Sequence, residues 1–128
     1  MGDYEKGLET RRKILGDAWV DRSLTNRNEF NSEFQSFITR YVWDEVWNRP
    51  GIDHRTRRYM VLSTMMALGR WEEFKLHVGA AMRVGFTQSD IKEIIIQQAV
   101  YCGVASGNHA VAEAQRVFDD MGREEKTS

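Results

Sequence analysis

Apolar residues recur at three- and four-residue steps along most of this chain, the period of helices packed on one side. Tyr4, Leu8 and Leu15 lie on one face of a first helix over residues 3–15, with Arg11, Arg12 and Lys13 facing out and Gly16-Asp17 ending it. Residues 18–25 lack that period and predict an extended arm. Its Trp19 and Val20 need an apolar surface, in a subunit contact or on the chain's own core. Asn28 caps a second helix, whose Phe30, Phe34, Phe37, Ile38, Tyr41, Val42 and Val46 form a stripe predicted as core, ending at Arg49-Pro50-Gly51. Asp53 caps a third, which runs to Gly69. A fourth starts near Arg70 and stops at Gly85, with Arg70, Glu73, His77, Ala81 and Val84 on one face. Thr87 and Asp90 form a capping-box variant for a fifth, and Phe86 is placed to staple onto Ile91. The short connection predicts that this fifth helix folds back antiparallel on the one carrying His77. Residues 103–107 then break the pattern, a last helix covers about 108–121, and 122–128 read as a frayed, charged tail.

One proline in 128 residues agrees with an all-α fold of about six helices. The length suits a single domain over 1–128, comprising a helix and arm (1–27), a helical core (28–121) and the tail. Lys and Arg number 18 against 19 Asp and Glu, so no overall field draws the chain to nucleic acid or anionic membrane. A single cysteine, Cys102, excludes an intrachain disulfide and a CxxC pair. The N-terminus lacks the apolar core of a signal peptide, and no apolar run approaches the ~20 residues of a membrane span; the expectation is a cytoplasmic protein.

Candidate chemistry is sparse. His54, His77 and His109 do not have the spacing of a metal motif, and no glycine-rich phosphate loop is present. His77, mid-helix and one turn beyond Glu73, is a candidate acid or base; a core histidine bonded to a carbonyl is the alternative. Glu73 would favour its imidazolium, whereas burial or Arg70 would oppose it. Arg49, Arg55, Arg57 and Arg58 cluster in sequence, as carboxylate grips or as ordinary salt bridges.

The string itself says more. Arg11–Asp17, Val20-Asp21-Arg22, Tyr41–Gly51, Arg55-Thr56-Arg57, Ala67–Arg70, Leu76-His77, Gly85-Phe86-Thr87 and Ala99–Val104 closely resemble the 4-carboxymuconolactone decarboxylases. The resemblance covers roughly residues 4–118. It implies an all-α domain of the alkylhydroperoxidase D-like superfamily, assembled as a homo-oligomer, commonly a hexamer. Peroxide-reducing members of that superfamily carry CxxC one turn before the helix histidine; Arg70 and Glu73 fall there, so dithiol chemistry is excluded. Trp19, Asp44 and Tyr59 depart from the usual pattern.

The implied reaction converts a carboxylated unsaturated lactone to an enol-lactone with loss of carbon dioxide. Its electron sink is the lactone carbonyl, so the resemblance calls for no cofactor and no metal. It requires cations for two carboxylates, for which Arg49, Arg55, Arg57 and Arg58 are candidates, and a proton source, for which His77 is the first candidate and Glu45 the second. Two other readings remain open: another cofactor-free lactone isomerase or decarboxylase on the same scaffold, and a non-enzymatic helical oligomer with a structural His77.

Overall fold

Helix ends fall where side chains or turns can satisfy the free ends of the backbone. The structure, a computed structural model, describes residues 2–127; among them are seven α-helices and one π-helical segment. They are α1 (Tyr4–Leu15), α2 (Asp17–Thr25), α3 (Ser32–Ile38) continuing into the π-helical Thr39–Val46, α4 (His54–Leu68), α5 (Trp71–Arg83), α6 (Gln88–Cys102) and α7 (Val104–Thr127). Asp53 Oδ1 accepts from the backbone N–H of Thr56 at the start of α4. At α6 both halves of the Thr87–Asp90 capping box form. Helices α4 and α5 close in the same way. Arg70 N–H reaches back to Met65 C=O and Gly69 N–H to Met66; Phe86 and Gly85 repeat the pair on Ala81 and Met82. No described helix is long and apolar enough to cross a membrane.

The chain forms two compact units, one up to Arg57 and one from Arg58 onward. In the N-terminal unit α1 packs along the π-helical segment. Their backbones approach so closely that a Cβ on Gly7 would collide with the carbonyl oxygen of Thr39. Asp44 accepts from the Asp3 backbone N–H at 2.7 Å and from Asn48 Nδ2 at 2.9 Å, which holds its carboxyl below the usual range.

Three expectations for this unit are corrected. Residues 17–25 are a helix, not an extended arm; Val20 is buried on it and Trp19 is exposed. Arg11 does not face out, because the face of α1 that carries Gly7 and Ile14 is the packed one, and Arg11 is buried on it. The stripe of Phe30, Phe34, Phe37 and Tyr41 is exposed. Asn28 does act as a cap, one turn ahead of α3: its Oδ1 accepts from the Asn31 N–H, Asn31 Oδ1 accepts from the Asn28 N–H, and the Asn28 carbonyl accepts from the Ser32 N–H. The packed face of this helix is Thr39, Trp43 and Trp47. The π-turn, seen in the Trp47 N–H to Val42 C=O bond, alters the phase of the downstream residues.

The C-terminal unit holds the hydrophobic core. Leu62 and Met66 of α4, Phe74, Val78 and Ala81 of α5, Phe86 of the turn that follows, Ile91, Ile94 and Ile95 of α6, and Ala110 and Ala114 of α7 pack together. Helices α5 and α6 each lie along α7, which replaces the expected pairing of α6 on α5 as the main contact. Residues 103–107 do not form a broad break: only Gly103 interrupts the helices, and α7 starts at Val104. Gly107 sits inside α7 because a Cβ there would stand 2.8 Å from Ala99 Cβ on α6. Helix α7 runs to Thr127, through most of the stretch read as a charged tail; Ser128 lies outside the described residues. Buried Glu113 of α7 ties α5 down, pairing with Lys75 at 3.6 Å and with Arg116 at 2.7 Å on its own helix.

Candidate active site

Helix α5 carries His77 beside a run of buried positions, Phe74, Val78, Ala80 and Ala81. The imidazole is largely withdrawn from water, and its Nδ1 is buried without a hydrogen-bond partner. Arg58 of α4, only 4% exposed, directs its charge at the same ring. Burial acts first and Arg58 second, and together they outweigh the opposing pull of Glu73. The imidazole pKa is pushed down from 6.5 to about 4. At neutral pH His77 is therefore an uncharged imidazole, with one nitrogen able to donate and the other able to accept. The competition left open by the sequence is settled by desolvation and Arg58; Arg70, exposed at the start of α5, is not among the charges that act on it.

Arg58 is itself held below the usual guanidinium value, by burial and then by the charge of Arg83 in the last turn of α5. The Arg83 side chain lies back along its helix, with Nη1 3.5 Å from where a Cβ on Gly79 would stand. Sequence spacing assigned Arg83 only to the helix terminus. The signal was Gly79, four residues earlier, which leaves room for that folded-back guanidinium.

The other predicted site residues lie in the N-terminal unit. Glu45 is exposed, between Trp43 and Trp47, which are buried and stacked with ring centroids 5.6 Å apart. Arg49 and Arg55 are exposed. Arg57 is half-buried and donates from Nη2 to the Arg49 carbonyl at 3.2 Å, while its Nε is buried without a partner. Of the four arginines read as a cluster, Arg58 is the one that joins His77 in the C-terminal unit. Cys102 is a half-buried free thiol. Among the described residues no three His, Cys, Asp or Glu side chains converge as metal ligands would.

A buried imidazole with a vacant nitrogen, under the charge of the buried Arg58 guanidinium, suits an anionic ligand that exchanges a proton. Residues 32–116 match the Carboxymuconolactone decarboxylase family, and the chain belongs to it. This places it among enzymes of the carboxy-lyase kind. It is 42% identical to a 4-carboxymuconolactone decarboxylase of Acinetobacter baylyi over 93% of this chain and 89% of that one. It is 33% identical to the nitrosuccinic acid decarboxylase npaB of Metarhizium robertsii, over 92% of this chain and 82% of the relative. A 4-carboxymuconolactone decarboxylase of Pseudomonas putida is 55% identical over 39 residues, covering 30% of this chain and 81% of that sequence.

Proposed function

We propose that this protein decarboxylates 4-carboxymuconolactone to the enol-lactone of 3-oxoadipate without a cofactor, as a homo-oligomer with the alkylhydroperoxidase D-like fold. The observation that carries the reading is His77, uncharged and with a vacant nitrogen, beside buried Arg58, in a chain so similar to an enzyme of that name. The substrate carries two carboxylates. Arg58 grips one of them, and its planar fork suits that geometry. When the C–C bond to the departing carboxylate breaks, its electron pair moves through the ring double bond to the lactone carbonyl, leaving a dienolate as carbon dioxide is released. A proton from the His77 imidazolium then adds at carbon, and water restores that proton. The imidazole is uncharged before substrate arrives, so it takes up its proton as the bound carboxylates offset Arg58. Within the C-terminal unit Arg83 is the second cation for this dianion. The proposal gives no step to Glu45, Arg49, Arg55 or Arg57.

Ultraviolet loss of 4-carboxymuconolactone is the direct test. Arg58→Lys should lower kcat/KM more than tenfold, corresponding to ~1.4 kcal/mol or more. His77→Asn should lower kcat by about 10² with the helical spectrum unchanged. Parental rates in both folded variants would overturn these roles. The fungal relative supports a second reading, because nitrosuccinic acid is also a dicarboxylic acid with its own electron sink, a nitro group. Turnover of nitrosuccinate with none of the lactone would select it.

A further inference from the structure

Helix α5 opens on two adjacent carboxylates, Glu72 and Glu73, both exposed in its first turn. Acidic side chains suit that end, because they offset the positive pole of the helix dipole. The two differ in their partners. Glu72 pairs with Lys75 Nζ at 3.0 Å. Glu73 forms no ion pair or hydrogen bond with the described residues, although Arg70 stands only one turn before it.

A carboxylate without a cation of its own keeps its full charge for its neighbours on the helix. One turn on, along the same face of α5, that neighbour is the His77 ring. Among the described residues two charges act on this ring, Arg58 from α4 and Glu73 from its own helix. None comes from α6 or α7, so Glu73 is the anion that favours the imidazolium. In the free protein burial and Arg58 prevail over it. Bound substrate alters that contest. In the reaction proposed for this site, on which the inference rests, the substrate carboxylates offset Arg58, and burial then meets Glu73 without the cation. The same anion repels a dicarboxylate, so substrate binding alone does not call for an acid at this position.

We infer that Glu73 is a positioning residue of the reaction: it acts through His77, as the fixed counter-charge that holds the imidazolium ready to protonate carbon. It touches no reacting atom. The proton it stabilises comes from water and ends on the product, so Glu73 is unchanged by the cycle. Its exposure to solvent sets the size of the effect at the low end of what a neighbouring charge can do, about tenfold in proton affinity.

The test is the pH profile of kcat for 4-carboxymuconolactone in Glu73→Gln, Glu73→Asp and Glu72→Gln, the last a control from the same helical turn. Without the anion the imidazolium deprotonates more readily, so the alkaline fall of kcat moves to lower pH. In Glu73→Gln that fall should come about one pH unit earlier, with kcat about tenfold lower on the alkaline side and the difference closing as pH falls. KM should be unchanged or lower, since a repulsion has been removed. Glu73→Asp keeps the charge and should recover most of the rate, and Glu72→Gln should match the parent. Parental kcat across the pH range in Glu73→Gln, beside a slow His77→Asn, overturns this inference and leaves the role of His77 standing. An equal loss in Glu72→Gln overturns it as well, because the helix dipole then accounts for both. No turnover by the parent, or a parental rate in folded His77→Asn, overturns the proposed reaction and this inference together.

Discussion

His77 shows how one residue can couple the site to the stability of the fold. Its folded pKa lies near 4 and its unfolded value near 6.5. Above pH 6.5 both states hold it uncharged and nothing is lost. Between 6.5 and 4 the unfolded chain binds a proton that the folded chain refuses, so stability falls as pH falls. Below 4 the loss is complete, at about 3 kcal/mol. Chemical denaturation at pH 7 and pH 4 should therefore show a drop that is about 3 kcal/mol smaller in His77→Asn than in the parent. Equal drops would mean that the imidazole titrates normally in the folded protein. The residue itself was legible in the sequence, since helical spacing put it beyond Glu73. Its protonation was not, because burial, the larger cause, depends on packing, and the charge that adds to it, Arg58, arrives from a different helix.

At the level of elements, legibility tracks the range of the interaction. Caps and stops are written in adjacent residues, so Asp53, Gly69, Gly85 and the Thr87–Asp90 pair could be read directly. The residues 17–25 could not, because their helix shows one buried position, Val20, too few to display a period. Gly7 and Gly107 were opaque for a related reason: each matters through a neighbour 32 or eight residues away, Thr39 or Ala99. Gly7→Ala should cost roughly 1–3 kcal/mol, the scale of overpacking, since the atom it meets is backbone and cannot swing aside. Urea unfolding of that variant measures the loss, and an unchanged midpoint would show that α1 slides freely on the π-helical segment.

For the whole molecule, the surface carries the strongest statement about assembly. Phe30 is 91% exposed and Phe34 60%, and Phe37 and Tyr41 continue the same aromatic strip, which is unusual for a chain that stays monomeric. Sedimentation at micromolar concentration should find at least a dimer, with hexamer the expected form, and Phe34→Asp should shift it toward smaller species. A parent that sediments as a monomer would dismiss the homo-oligomer. The sequence disclosed this strip but not its direction, since periodicity reports that residues share a face and not whether that face looks inward. The π-turn adds a second consequence for the residues after it. A π-helix is an α-helix that has accepted one surplus residue. Deleting one residue within 39–46 would remove that surplus and let the segment relax to ordinary winding with the later side chains close to their present bearing, whereas relaxing at unchanged length would turn them by about 100° about the axis. Trp47 would then lose its buried place to a different side chain. A substitution that abolishes the π-turn is therefore costlier to this helix than a one-residue deletion inside it.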